Sequence, residues 1–289
     1  MTYLFLSIIC SVYLILIFKQ FGKMNVDTFQ TIVINYAICV LFGLFFLKEP
    51  ITIKLIYKTW LSYSLILGLL FISTFNLIGY AVKKVGVSAT VTANKLSLII
   101  PVLIAFLFYG DSINSLKLIG IFVALFAVYF VSKRSNHHEK LSKWLLIAII
   151  IFVFIGSGIV DALIKHVELN FMKPEEYNLF LICSFATAAF IGIILIIIRH
   201  LYFKVRFKTK NIFTGLALGI PNYAALYYLI KTLNLPGFES SVIFPINNIA
   251  IVLGSTLGGY FLFKEHLSRI NWLGVLLAII SILLIAFAQ

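Results

Sequence analysis

Ten apolar runs, each about one bilayer thick, leave this chain almost no choice of fold. They fall near 2–18, 28–47, 60–82, 87–108, 116–132, 143–164, 175–198, 211–231, 239–262 and 268–287. An α-helix needs about 20 apolar residues to cross a bilayer core of roughly 30 Å. Ten such helices would take up about 200 residues of the 289, leaving short connections and no room for a soluble domain. With 62% hydrophobic and 11% charged residues, the chain cannot cover a water-facing surface. A secreted protein, a cytosolic enzyme and a disordered chain are excluded. No period-2 alternation occurs, so a β-barrel is excluded too. The sequence predicts an all-α, polytopic membrane protein of ten transmembrane helices.

Charge and special residues fit that reading. The net charge of +13 comes mainly from Lys and Arg in short connections, where they set orientation and meet anionic headgroups rather than nucleic acid. Connections 1–2, 3–4, 5–6, 7–8 and 9–10 carry 15 Lys and Arg against 7 in the others, which places the first set in the cytoplasm and both termini outside. Trp60, Trp144 and Trp272 open spans beside Lys58, Lys143 and Arg269 and are expected as interface anchors. Cys10, Cys39 and Cys183 lie inside apolar runs without metal spacing and read as small buried residues. The first run lacks a basic lead and a cleavage site, so it reads as a span rather than a signal peptide.

An internal repeat is legible. Ser11 and Lys19 match Ser157 and Lys165 at an offset of 146, and Gly68 and Gly86 match Gly219 and Gly237 at 151. Asn94, Asp111 and Gly120 match Asn248, Glu265 and Gly274 at 154. This drift is what small loop insertions produce. The expected organisation is a first five-helix half at 1–131, a polar linker at 132–143 and a second half at 144–289. An odd number of spans inverts the second half, an arrangement that permits alternating access around a midplane site.

Specific motifs carry a family likeness. Phe108-Tyr109-Gly110-Asp111 is followed by Leu118-Ile119-Gly120, and Leu262-Phe263-Lys264-Glu265-His266 by Trp272-Leu273-Gly274. An acid after a span, then a glycine nine residues on, resembles the EamA-like family of the drug/metabolite transporter superfamily. Asp111 stands where that family usually has Glu, and Ser112 and His266 where a basic residue often follows. The resemblance implies carrier-type transport without ATP, for solutes ranging from amino acids to drugs and sugars. Asp111 and Glu265 can cap the next helix or touch solute, and Gly120 and Gly274 suit close helix packing.

Candidate functional residues follow from the cost of burying polarity in lipid. Lys95 lies eight residues into its span, about 12 Å deep, among Thr92, Asn94 and Ser97, with Pro101 beyond. It reads either as a contact for a carboxylate, phosphate or sulfonate, or as the structural partner of a carboxylate such as Asp161. Pro245, Asn247 and Asn248 offer a neutral counterpart in the ninth span. Asp161 follows Gly156-Ser157-Gly158, a segment that resembles a pattern in some bacterial EamA-like proteins, and sits four residues before Lys165. Proton acceptor for coupled transport, partner of Lys95 and i,i+4 partner of Lys165 all remain open. Asn222 and Tyr223 beside Pro221, Tyr80, and further Tyr13, Asn35, Asn76 and Tyr227 could line a path.

The leading expectation is therefore a secondary transporter of a small organic, anionic metabolite or drug in the bacterial inner membrane, as monomer or homodimer, with no cofactor or metal. The alternatives are a membrane-embedded enzyme or a structural membrane protein without transport. No acidic or histidine cluster supports the enzyme, since His137 and His138 lie in the linker, and no phosphate-binding loop supports an ATP-driven pump.

Overall fold

A computed structural model describes residues 2–21, 26–47, 53–85, 87–110, 114–132, 143–237, 239–264 and 267–287. Asp111, Ser112, Glu265, His266 and linker residues 133–142 lie outside the described residues. The described fold is all-α. Its helices are α1 (Thr2–Phe21), α2 (Thr28–Phe45), α3 (Trp60–Lys84), α4 (Val87–Leu96), α5 (Ile99–Phe108) and α6 (Ser115–Ser132). The second part of the chain forms α7 (Lys143–Phe171), α8 (Tyr177–Phe203), α9 (Lys210–Leu233), α10 (Ser240–Phe263) and α11 (Arg269–Phe287). Among the described residues, seven segments are long and apolar enough to cross a membrane, and three shorter apolar segments, Thr2–Ile17, Ala93–Phe108 and Ser115–Phe130, accompany them. The chain is a multi-pass membrane protein.

The expected fourth span is divided at Ser97 and Leu98. The physical cause is Pro101, whose ring clashes with the carbonyl four residues back and whose nitrogen offers it no hydrogen. That carbonyl belongs to Ser97, and it accepts instead from the Ile100 amide at 3.0 Å. The Ser97 hydroxyl donates to the Asn94 carbonyl at 2.6 Å, so the break is hydrogen-bonded rather than open. Pro245 and Pro221, by contrast, sit inside continuous helices.

The helices gather into two compact units. One comprises Met1–Asn76 and His166–Asn234, the other Leu77–Lys165 and Leu235–Gln289. In the first unit α2 packs against α8 and α9, and α1 against α9. Branched side chains on α2 enter glycine notches. A Cβ on Gly192 would lie 2.5 Å from Val33, one on Gly215 2.5 Å from Ile34, and one on Gly219 2.5 Å from Ile38. Gly215 and Gly219 are four apart on one face of α9, the spacing by which small residues let membrane helices approach. Tyr36, Phe71 and Phe185 stack beneath this seam at centroid distances of 5.4–6.2 Å.

In the second unit α6 lies along α11, and α10 packs on α4, α5, α6 and α11. Gly120 performs the role expected of it, since a Cβ there would meet Ile285 at 2.6 Å. Leu98, Val102, Ala124, Ala127, Val242, Ile249, Ala278 and Ile285 form the buried core.

One expectation about the interface needs correction. Trp60 is not a headgroup anchor: it is buried and meets Phe180 edge-on at 5.9 Å. Its neighbour Lys58 instead reaches Glu176 at 2.5 Å. Trp144 and Trp272 are exposed, as an interface indole should be.

Candidate functional site

The second unit gathers the charged candidates. Residues of α4 and α10 meet where the Lys95 ammonium donates to the Asn248 Oδ1 at 3.1 Å. One residue earlier, Asn94 donates from Nδ2 to the Ser157 hydroxyl on α7 at 2.7 Å. Gly158, next to Ser157, lets α7 come near the broken helix: a Cβ there would lie 2.3 Å from Ile100 of α5. The carboxylate of Asp161, one turn further along α7, interacts electrostatically with Lys95. Asn94, Lys95, Ser97, Asn248 and Asp161 are thus brought together on three helices of one unit.

Asn247 is buried on the same helix as Asn248, and its Oδ1 has no hydrogen-bond partner among the described residues. Consecutive helical residues are about 100° apart, so this acceptor faces another direction from the Lys95 contact. A buried amide oxygen without a donor costs about 1–3 kcal/mol, which a hydroxyl, amine or water hydrogen would recover. Tyr80 also belongs to this unit and is exposed.

The neutral candidates lie in the first unit. Asn222 donates to the Asn35 Oδ1 at 3.3 Å. Beside them the Cys39 thiol donates to the Gly219 carbonyl at 3.2 Å. The Tyr223 hydroxyl donates to Asn178 Oδ1, and Asn178 Nδ2 donates to the Gly43 carbonyl at 3.2 Å. Tyr227 stacks on Tyr223, and Lys231 lies over its ring at 4.7 Å. Asn76 turns back to its own helix at Ile72, and Tyr13 is exposed.

Sequence reasoning missed an ion pair. Lys117, fully buried at the start of α6, donates to Glu239 and, at 3.3 Å, to the Ser241 hydroxyl. A lysine two residues inside an apolar run was the available signal. Glu239 immediately precedes α10, where a carboxylate is favoured by the helix dipole.

With this geometry in place, likeness to known proteins is informative. Residues 1–133 match the model of the EamA-like transporter family. Over 285 residues the chain is 27% identical to an uncharacterized protein of Haemophilus influenzae, covering 96% of this chain and 95% of that one. A solved crystal structure covers 99% of this chain and 96% of its own with a TM-score of 0.70 at 15% identity, a likeness of fold. The match over residues 1–133 is to a family whose general activity is membrane transport and which is typically not enzymatic.

Proposed function

We propose that this EamA-like protein is a secondary transporter of a small organic anion, without ATP as a driving force. The observation that supports this reading most is the Lys95 ammonium, held at 3.1 Å by Asn248 inside an apolar helical unit. A cation in lipid is costly and is kept where it pairs or binds. Asn248 neutralises none of its charge, and Asp161 interacts with it only through the field. Lys95 and Asn248 would contact a carboxylate, phosphate or sulfonate, with Asn94 and Ser97 fixing the broken helix that presents Lys95. Asn247 would accept from a hydroxyl or amine of the same class of solute. Tyr80 would add a polar aromatic contact. Asn222 and Tyr223 would give a second, neutral polar contact in their own unit.

Asp161 would then serve as the exchangeable partner of Lys95. A solute anion arriving at Lys95 leaves the carboxylate uncompensated, and taking up a proton restores neutrality. Transport of the anion would therefore carry a proton with it. Alternating access would arise from the two sequence halves 1–131 and 144–289 acting as inverted counterparts, in a bacterial inner membrane with both termini outside.

The first test is thermal stability in detergent against anionic, zwitterionic and neutral metabolites, for wild type and Lys95→Ala. A ligand at 100 times its Kd stabilises the folded state by about 2.7 kcal/mol. Anions should stabilise wild type alone. An equal response in both proteins would make Lys95 a structural partner of Asp161. For coupling, Asp161→Asn should abolish uptake driven by a pH gradient while sparing counterflow; loss of both would sink the proton role.

A further inference from the structure

We propose that the connection between α8 and α9 is a binding site for anionic phospholipid headgroups. This does not rest on the transport reading. Arg199, Lys204, Arg206, Lys208 and Lys210 fall within twelve residues, and no Asp or Glu occurs anywhere from Tyr177 to Phe238. Lys204, Arg206 and Lys210 are exposed.

The connection has a fixed shape, and its shape is what exposes the cations. Gln30, buried in α2, donates from Nε2 to the Arg206 carbonyl at 3.1 Å and accepts at Oε1 from the Lys208 amide at 3.2 Å. Buried Asn211 donates to the same Gln30 oxygen at 2.6 Å and accepts from the Asp27 amide at 3.1 Å. Lys204 ends α8 in the left-handed conformation, φ 52°, and the Val205 amide returns to the Arg199 carbonyl at 3.3 Å. Gln30, itself held by Asn211, therefore fixes the loop backbone, and the side chains of Lys204 and Arg206 are left exposed. Arg199 is matched by a carboxylate, Asp27 at 3.4 Å, and it lies over the Phe29 ring at 4.9 Å.

The chemistry beside the cations selects a lipid over a soluble anion. Tyr202 and Phe203 at the end of α8 are 78% and 73% exposed, Phe207 stands between Arg206 and Lys208, and Phe213 follows in the first turn of α9. Rings at the end of an apolar helix sit among glycerol and upper acyl chains, and cations one or two residues on reach the phosphate plane. A free phosphate or an acidic peptide would use the cations and leave the rings idle.

The test titrates short-chain phosphatidylglycerol, phosphatidylcholine and glycerol phosphate against the full-length protein in neutral detergent, read by native mass spectrometry. Each basic residue near an anionic surface contributes about a fivefold gain in binding at moderate ionic strength. Lys204→Gln/Arg206→Gln/Lys210→Gln should thus weaken phosphatidylglycerol binding about a hundredfold. Phosphatidylcholine should bind no better to wild type than to the variant. Phe207→Ser should weaken phosphatidylglycerol but leave glycerol phosphate unchanged. If the triple variant does not fold, the three single variants should each show the fivefold step. Equal phosphatidylglycerol affinity in wild type and variants would overturn the site. Glycerol phosphate binding as tightly as phosphatidylglycerol would overturn the lipid as its occupant.

Discussion

The candidate residues of the two helical units solve the same problem, polar side chains in an apolar medium, in opposite ways. Apart from buried Glu168, which accepts from Asn234 at 2.8 Å, the buried candidates of the first unit are neutral and tied to each other: Asn222 to Asn35, Cys39 to the Gly219 carbonyl, Tyr223 to Asn178, Asn178 to the Gly43 carbonyl. Every one of these bonds joins two helices, so they act as cross-links along the glycine seam. In the second unit the polar groups include a cation and an acid, with Lys95 resting on a neutral amide and Asn247 keeping an unused acceptor. A closed neutral network contributes stability and specificity of packing. An open charged one costs stability and retains binding capacity. The difference directs attention to the second unit for solute recognition.

The largest expected effect separates the two directly. Lys95→Ala should weaken binding of any stabilising anion by about a hundredfold, the scale of a charged hydrogen bond of about 2–3 kcal/mol. Asn222→Ala should change it by less than about fivefold. Calorimetric titration of both variants checks this, and comparable losses would erase the contrast. Next in size is a double-mutant cycle in the second unit. Lys95→Met and Asp161→Asn should each lower stability, and the double variant should recover about 1–2 kcal/mol relative to their sum. Additive losses would show that the two charges do not act as a pair.

The seam in the first unit predicts an effect of similar size that is purely structural. Gly219→Ala places a methyl 2.5 Å from Ile38 and 2.9 Å from the Asn35 carbonyl, so overpacking should cost about 1–3 kcal/mol. Its unfolding midpoint should fall while anion binding by the folded fraction is retained. Smallest is Asn35→Ala, which removes the acceptor of Asn222 and should cost about 1 kcal/mol, again without a change in binding. A loss of binding in either variant would make the neutral contact of the first unit a major rather than a minor part of solute recognition.

Much of the fold was legible because lipid imposes a length rule. Runs of apolar residues can only be helices there, since every backbone hydrogen bond must be made within the segment. Lys95, Asn248 and Asp161 were legible for a related reason: polarity inside such a run is expensive and stands out. The partner of Asn94, the Ser157 hydroxyl, was less visible, because a serine between glycines signals close packing before it signals a hydrogen bond. Lys117 escaped notice at the edge of its run, where a cation normally reaches headgroups by snorkelling. Trp60 was misplaced by the same edge logic, since an indole beside a lysine reads as an anchor until a neighbouring helix covers it.

The sequence alone determined the helical class, the ten apolar segments and which residues are too polar for lipid without a reason. Each of these follows from one residue's transfer free energy or from local spacing. Which polar groups meet was decided only by tertiary structure. Lys95 and Asn248 are 153 residues apart, as Asn35 and Asn222 are 187 apart, and helix packing alone brings such pairs within hydrogen-bonding distance. The break at Ser97 stands between these two levels. Pro101 removes the hydrogen bond that would have closed the helix there, and the hydrogen bonds of Ser97 and Ile100 set where it falls.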